Sequence, residues 1–415
     1  MHQRTGSANL PLHGGHVPPW LSYRMAALGR VIVEAIVHEY GRDELLRRLA
    51  HPFWFQSFGA VMGMDWHSSG ITTSVIGALK RGLAPIRREL GVYVCGGKGA
   101  QSRRTPHELQ EFGHMTGVDA APLVRASRLV AKIDSAAVQD GFDLYLHGFF
   151  ATVEGHWCVV QQGMNEDRAE ARRYHWQSDQ LPGFFQSPHA AIEGRNVGAI
   201  VNLADVRAER NRTAGLELVR GGPDRTVSIL KRFQASGNTA LSLFPETETA
   251  APPRPHLQLP HHHEVRASDV MLKRLHGTLA AAADAGPKDY AELLLRPGIG
   301  ARTVEALAFV AEVLHGAPSR FSDPARFSLA LGGKDGHPFP VPIKVFDETI
   351  HLLKRAVENA KLGSTEALAA IRRLDVQARL LDSKPGSPTF EAFVANERAK
   401  SASLGGRTVG KYPRR

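Results

Sequence analysis

Cysteine and long hydrophobic runs are scarce in this chain. Its 415 residues include two cysteines, Cys95 and Cys158, which excludes a disulfide scaffold and is typical of proteins in a reducing compartment. No apolar run approaches the roughly 18 residues of a membrane-spanning helix, and the first residues contain no apolar signal core. We therefore expect a cytoplasmic protein without a membrane partner.

Acidic residues are outnumbered by basic ones. The chain has 51 Lys and Arg against 41 Asp and Glu, a formal net charge of +10, which favours an anionic partner such as nucleic acid. Hydrophobic residues make up 43 % and charged residues 22 %, the proportions of a soluble globular protein. A chain of this length is expected to form two or three domains.

The most informative stretch is residues 289–316. The sequence predicts a short apolar helix up to Leu295, a tight turn and a second apolar helix. This pattern resembles the helix-hairpin-helix module, which binds nucleic-acid backbones. Glycines permit close backbone approach, and the amide groups at a helix N-terminus attract phosphate. The candidate DNA-binding residues are Arg296, Pro297, Gly298, Ile299, Gly300, Arg302 and Thr303.

Contacts of this kind are made to the backbone and do not read bases. We therefore expect DNA binding that is indifferent to sequence and weakens with salt. The structural alternative is an ordinary helical hairpin closed by a Pro-Gly turn. We expect residues 386–415 to form a basic flexible tail that either adds loose electrostatic affinity for DNA or is simply solvated.

The sequence predicts an α+β fold. Residues 142–153 and 157–164 are rich in β-branched and aromatic side chains and flank a short turn, which predicts an antiparallel β-hairpin. A third strand is predicted at 171–176, which makes a meander. Helical spacing predicts helices through much of the first 138 residues, and Thr105 and Glu108 predict a capping box.

These elements predict two domains and a linker. An α+β domain with the catalytic site is expected at 1–235, a linker at 236–263 and an all-helical DNA-binding domain with the hairpin module at 264–385. Two amphipathic helices are predicted within the last of these ranges. The linker contains the run His261-His262-His263, which either binds a metal or, as the composition favours, is exposed to solvent.

Polar residues of the first domain occur in short strings that a plain core does not need. Carboxylates together with histidines suit Mg²⁺ or Mn²⁺ better than a closed zinc site. Such an ion activates water at a scissile phosphate, and Lys98 would stabilise the developing charge. The candidate catalytic residues are Asp65, His67, Lys98, Asp140, Asp143, His147, Gln161 and Gln162, and the candidate ligands of Mn²⁺ or Mg²⁺ are Asp65, His67 and Asp140.

Each candidate also has a structural interpretation. Asp65 is placed to cap the following helix, and Asp140 precedes a glycine and suits a turn. Asp143 and His147 are four residues apart, so a regular strand would put both on one face. By the same alternation only one of the adjacent glutamines 161 and 162 faces inward.

Two known phosphate-handling patterns fit poorly. No Ser or Thr follows Lys98 in its glycine-rich run, so a nucleotide-binding P-loop is not expected. The core of restriction-enzyme-like nucleases ends in a strand carrying an acid and a lysine, and no lysine follows Gln161 at the required step. A metal-dependent nuclease of another build remains the expectation.

Longer strings resemble a prokaryotic family, domain of unknown function seven hundred and sixty-three. They span roughly residues 4–345. The resemblance implies a DNA-cleaving enzyme with a helix-hairpin-helix part and assigns no role to individual residues. The resembling strings are LPLHGGHVPPWL, FGAVMGMDWHSSGITTSVIGALKRGL, GGKGAQSRRTPHEL, QDGFDLYLHGF, VVQQGMN, ARRYHW and the PGIG hairpin with GGKDGHPFPVP.

The sequence thus predicts a metal-dependent nuclease that acts on DNA without strong sequence specificity. One alternative is a non-enzymatic DNA-binding or DNA-repair accessory protein. Another is a nucleotide-sugar or base-processing enzyme in which the GGKG run holds a small phosphate ligand. The long N-terminal helix and the aromatic run at 51–55 belong either to the core or to a subunit interface of a homo-oligomer.

Overall fold

The computed structural model describes residues 10–11, 19–62, 64, 70–168, 170–179, 181–235 and 272–325. The predictions made for Asp65, His67, the linker, the amphipathic helices after residue 342 and the basic tail lie outside these residues. Within them the fold is a mixture of helices and antiparallel sheets, which confirms the α+β class.

Nine strands lie in the described residues. The main sheet has the order β1-β6-β5-β4-β2, with β7 also on β6, and a second sheet has the order β3-β8-β9. The predicted hairpin is confirmed as β4 and β5, and β6 is the predicted third strand. The strands are β1 (Leu10–Pro11), β2 (Val92–Lys98), β3 (Val138–Gln139), β4 (Asp143–Thr152), β5 (Trp157–Asn165), β6 (Glu170–Gln177), β7 (Ala191–Glu193), β8 (Ala199–Asn202) and β9 (Arg320–Ser322).

Twelve α-helices accompany these strands in the described ranges. Besides them, a π-helical turn at Ile133–Ala137 ends the seventh helix. The helices are α1 (Pro19–Tyr40), α2 (Arg42–Ala50), α3 (Pro52–Val61), α4 (Gly70–Leu83), α5 (Arg87–Leu90), α6 (Thr105–Thr116), α7 (Ala120–Lys132), α8 (Glu209–Arg220), α9 (Pro223–Ala235), α10 (Leu272–Asp284), α11 (Tyr290–Leu295) and α12 (Ala301–His315).

Helices cover both faces of the main sheet. Apolar residues of α1 to α4 pack on one face in a cluster with Val160. Helices α6 and α7 contact the other face, in a larger cluster with Val159 to which α8 to α12 also contribute. Strands buried on both sides need apolar residues at consecutive positions, which explains the unbroken run at the start of β5. Trp54 and Phe55 are almost fully buried in the first cluster, so this part of the aromatic run belongs to the core.

The segment 272–325 shares an apolar cluster with α7 and α8. Helix α12 packs on α8, and β9 pairs with β8. Strand β9 is a departure from the all-helical segment expected after the linker. Its pairing requires β8, whose four residues are too short to be predicted from their own pattern.

The capping box predicted at the start of α6 is wrong, although the helix begins where expected. The carboxylate of Glu108 accepts hydrogen bonds from Lys80 Nζ at 2.8 Å and from the backbone N–H of Gly96 at 2.7 Å. The hydroxyl of Thr105 donates to the carbonyl of Ser102 at 2.7 Å. Glu108 therefore joins α6 to α4 and β2 instead of closing its own helix.

Candidate active site

A β-bulge in β4 separates two of the predicted catalytic residues. The strand carries one extra residue between positions 144 and 146 relative to β5, so that Asp143 lies opposite Met164 and His147 lies opposite Gln161. Residues directly opposite each other share a face, and the extra residue reverses the alternation beyond it. The expectation that Asp143 and His147 share a face is therefore wrong: Asp143 is exposed and His147 is buried.

The two adjacent glutamines lie on opposite faces, and both are fully buried. Gln162 Nε2 donates to Tyr145 Oη at 2.7 Å, and Lys98 Nζ lies 5.8 Å from the centroid of the same ring. Gln162 and Tyr145 therefore lie on the face of the sheet opposite to His147. The expectation that only one glutamine faces inward fails because helices cover both sides of the sheet.

The glycine-rich run around Lys98 is the end of a strand. A Cβ at Gly96 would lie 2.1 Å from the carbonyl oxygen of His147, so the glycine is required by the close approach of β4. Lys98 is the last residue of β2. Lys98 therefore lies at the end of a strand, and not in the phosphate-binding loop that was considered for the GGKG run.

Asp140 is engaged in a buried ionic network. Its Oδ1 accepts the backbone N–H of Phe142 at 3.1 Å, and its Oδ2 accepts Arg172 Nη1 at 2.7 Å and Tyr174 Oη at 2.8 Å. Arg172 also donates to Asp323 at 2.7 Å. Burial opposes the charge of Arg172, but the two carboxylates outweigh burial and raise the pKa of the guanidinium. This geometry favours a structural role for Asp140 over the predicted role as a metal ligand.

His147 and Gln161 do come together, in a hydrogen-bonded chain that ends on Asp134. His147 Nδ1 lies 2.6 Å from Gln161 Oε1, and Gln161 Nε2 donates to Asp134 Oδ2 at 2.5 Å. A carboxylate only accepts, so the amide turns its NH₂ to Asp134 and its oxygen to the imidazole. His147 must then carry its proton on Nδ1, which leaves the lone pair of Nε2 free to accept.

The acceptor nitrogen of His147 faces the hydroxyl of Ser127. Ser127 Oγ lies 3.0 Å from His147 Nε2 and donates to it in this tautomer. Burial lowers the pKa of His147, partly offset by the Gln161 hydrogen bond. The imidazole is therefore neutral near pH 7, which is the state a general base requires.

Asp134 is held in place by two further donors. Trp176 Nε1 donates to its Oδ2 at 2.8 Å, and His189 Nε2 lies 2.6 Å from its Oδ1. Asp134 lies in the π-helical turn after α7, and Ser127 lies seven residues earlier on the buried side of that helix. Neither was among the sequence candidates. The available signal was two polar residues at helical spacing on an otherwise apolar helix face.

Ser127, His147 and Gln161 line a cavity of about 360 Å³. Three cations, Arg103, Arg128 and Lys132, also line it, and no acidic side chain does among the described residues. Like charges around a cleft raise the local concentration of a ligand of opposite charge. The cavity therefore combines a neutral imidazole, a hydroxyl and an environment suited to a phosphate.

The turn between α11 and α12, which the sequence predicted to belong to a helix-hairpin-helix, borders the same cavity. Lys132 Nζ donates to the carbonyl of Ile299 at 2.5 Å, and Leu295 at the end of α11 lines the cavity itself. Gly298 has φ +82, the left-handed conformation that glycine adopts without strain. The turn is thus fixed against α7 on one side and exposed on the other.

The seven residues predicted to bind DNA are of two kinds. In the first, Ile299 and Thr303 are buried and Arg296 is half-buried, and Arg296 and Thr303 donate to the backbone carbonyls of residues 285 and 298. Pro297, Gly298 and Arg302 are exposed, and Gly300 is half-buried. Residues of the first kind shape the turn, and those of the second kind are accessible to a ligand.

Neither a metal cluster nor a membrane span is found in the part of the chain that the structure describes. No three side chains of His, Cys, Asp or Glu come together there in a way that would hold a metal ion. No helix there is long and apolar enough to cross a membrane.

The family resemblance carried by the sequence strings is confirmed by comparison with family models. The model described as protein of unknown function (DUF763) matches residues 6–341. The chain belongs to this family. No curated protein and no solved structure matches the chain. The DUF763 description states no activity, so the function is inferred from the geometry of the cavity and the hairpin.

Proposed function

We propose that this DUF763 protein is a nuclease that binds the DNA backbone through the helical hairpin and hydrolyses phosphodiester bonds in the adjoining cavity. The observation that carries this proposal is the position of Lys132. Its ammonium group bonds the hairpin turn at Ile299, and its side chain lines the cavity that contains His147. A backbone gripped at the turn thus passes beside the imidazole.

The hairpin offers the features of a phosphate-binding helix-hairpin-helix. Helix α12 begins after Gly300 without a side-chain cap, and its dipole places positive potential at the turn. A Cβ at Gly300 would meet nothing within 4 Å, so the packing of the protein does not explain the glycine. The close approach of a phosphate to the backbone would explain why this position is a glycine.

The cavity supplies acid–base chemistry and charge neutralisation. His147 accepts a proton at Nε2, and the Asp134–Gln161 pair stabilises the imidazolium that forms. Arg103, Arg128 and Lys132 offset the negative charge that builds on a phosphate in the transition state. Substrate held by the hairpin gains from proximity without any contact to bases.

Dependence on Mn²⁺ or Mg²⁺ is part of the proposal. The described residues alone do not fit a metal ion, since no group of three suitable side chains converges among them. Asp65 and His67 are the remaining candidate ligands and lie outside the described residues. The cleavage assay below tests the dependence of the reaction on the ion.

A cleavage assay on end-labelled single-stranded, double-stranded and branched DNA tests the proposal. Wild-type protein is incubated with Mn²⁺, Mg²⁺ or EDTA beside His147→Asn, which removes the base. We expect metal-dependent products from wild type and a loss of about 10²- to 10⁴-fold in the variant. Absence of products from wild type in every metal would refute the nuclease function.

The engagement of Asp140 favours a second candidate, a non-enzymatic DNA-binding or repair-accessory protein. Two of the candidate catalytic residues, Asp140 and Gln162, contact Arg172 and Tyr145 in the interior of the protein, which suits a structural role. Such a protein binds duplex or branched DNA with a steep salt dependence and releases no nucleotides with any divalent ion. The same assay separates the two candidates.

A further inference from the structure

Ser127 is a buried hydroxyl in the cavity whose hydrogen bond is unusual for its position. A serine inside a helix ordinarily donates to the carbonyl one turn earlier or faces solvent. In the described structure the hydroxyl of Ser127 instead lies 3.0 Å from His147 Nε2. Its side chain is almost fully buried in α7 and nevertheless borders the cavity.

The hydrogen-bonded chain gives this contact a direction. Asp134 accepts from Gln161, Gln161 accepts from His147 Nδ1, and His147 Nε2 therefore accepts from Ser127. A hydroxyl that donates to an unprotonated imidazole is the arrangement that activates a serine nucleophile. Here a glutamine stands between the carboxylate and the histidine.

The charges around Ser127 select the electrophile. Arg128 follows it on α7, Arg103 and Lys132 line the same cavity, and no acidic residue lines it among the described residues. An anionic phosphodiester is attracted there, whereas a neutral ester or amide gains nothing from three cations.

We propose that Ser127 is the nucleophile of this reaction and that cleavage passes through a phosphoserine–DNA intermediate. This inference rests on the proposed nuclease function and specifies its chemistry. In the first step His147 Nε2 takes the hydroxyl proton of Ser127 while Oγ bonds to phosphorus. The phosphorus–oxygen bond to the leaving strand breaks, and that oxygen takes the proton from the imidazolium.

The second step restores the enzyme. A water molecule attacks the phosphoserine phosphorus and gives a proton to His147 Nε2. The bond between phosphorus and Oγ breaks, and Ser127 recovers its proton from the imidazolium. Each of the two displacements inverts the configuration at phosphorus, so the complete reaction retains it, whereas direct attack by water inverts it once.

The stereochemical course of cleavage by the wild-type protein is the decisive test. The substrate is DNA with one phosphorothioate diastereomer at the scissile position, and cleavage proceeds in ¹⁸O-labelled water. We expect retention of configuration. Inversion overturns the inference and leaves the nuclease function intact, since a product was formed. Failure of the wild type to cleave DNA with any metal overturns both.

Matched variants locate the nucleophile. Ser127→Ala removes the hydroxyl, whereas Ser135→Ala removes an exposed hydroxyl that lines the same cavity. With folding checked by circular dichroism, we expect the first variant to lose at least about 10²-fold in kcat with unchanged DNA affinity and the second to match wild type. Cleavage by Ser127→Ala at the wild-type rate overturns the inference even if configuration is retained.

Discussion

The side-chain amide of Gln161 lies 2.5 Å from the carboxylate of Asp134, and this contact orients the imidazole on which the proposed chemistry depends. Asp134 is fully buried, and its carboxylate also forms hydrogen bonds with the side chains of Trp176 and His189. Its position is thus fixed independently of His147. The carboxylate of Asp134 does not contact the imidazole of His147 directly, and the side-chain amide of Gln161 connects the two groups.

Replacing Gln161 with methionine should uncouple His147 from Asp134. The thioether keeps the volume but is only a weak acceptor for His147 Nδ1 and cannot donate to Asp134, so the tautomer is no longer fixed. We expect kcat to fall by at least about tenfold with little change in DNA affinity, because wrong tautomers of such a histidine cost up to about 10⁴-fold. Steady-state cleavage kinetics with a parallel binding titration measure both quantities.

Gln162→Met is the matched control, since Gln162 is equally buried but faces Tyr145 on the other side of the sheet. It should cost about 1–3 kcal/mol of unfolding free energy for the hydrogen bonds lost and leave kcat unchanged. Equal kcat losses in the two variants would show that burial, and not the link to His147, explains the effect.

The pH dependence of kcat should reflect the buried imidazole. Burial lowers the pKa of His147 below its ordinary value of 6.5, and the neutral form is the base. The active form therefore persists as pH falls through 6.5, and activity declines only as pH falls through the lowered value. A kcat profile whose acidic limb lies at or above pH 6.5 would contradict this assignment.

Asp140→Ala should lower the free energy of unfolding, because the role assigned to Asp140 is structural and not catalytic. The change leaves the buried guanidinium of Arg172 with Asp323 as its remaining carboxylate partner among the described residues. Removing one partner of a buried ion pair costs about 3–5 kcal/mol. Chemical denaturation of this variant beside Asp143→Ala measures the effect.

Asp143 is exposed, so its replacement should change the unfolding free energy by no more than about 0.5 kcal/mol. An Asp140→Ala variant with wild-type stability and no activity would return Asp140 to the catalytic residues.

Gly300→Ala should weaken DNA binding without destabilising the fold. Gly300 has φ −132, which alanine adopts readily, and its Cβ would meet nothing within 4 Å. The methyl group blocks only an approach from outside. We expect DNA affinity measured by fluorescence anisotropy to fall at least fivefold while the melting temperature stays within error.

Gly298→Ala provides the contrast for this prediction. Its φ of +82 strains any other residue, and its Cβ would lie 3.0 Å from Thr278 Cγ2, so this variant should lose stability as well as affinity. Unchanged DNA affinity of Gly300→Ala would remove the hairpin from the binding surface.

The β-hairpin formed by β4 and β5 could be predicted from the sequence because its signals are local. β-Branched and aromatic residues around a glycine turn specify β4 and β5 without reference to the rest of the chain. The bulge at Tyr145 could not be predicted, since it depends on the register with β5. It decided which of the predicted catalytic residues could meet.

Ser127 and Asp134 illustrate why the candidate site could be predicted only in part. Both lie on a helix face whose apolar neighbours indicated core packing, and the side-chain partners of their hydrogen bonds lie 20 to 55 positions away in the sequence. His147 and Gln161 were recognised because polar residues stood out within an apolar strand. Their partners became visible only when α7 was seen to cover that strand.

The central claim is that the hairpin and the cavity act on one DNA backbone, and a comparison of kinetic constants tests it most directly. Wild type, Gly300→Ala and His147→Asn are assayed for kcat and KM on the same end-labelled duplex. We predict that Gly300→Ala raises KM with little change in kcat and that His147→Asn lowers kcat with little change in KM. If Gly300→Ala leaves KM unchanged, or His147→Asn leaves kcat unchanged, the two parts do not work together as proposed.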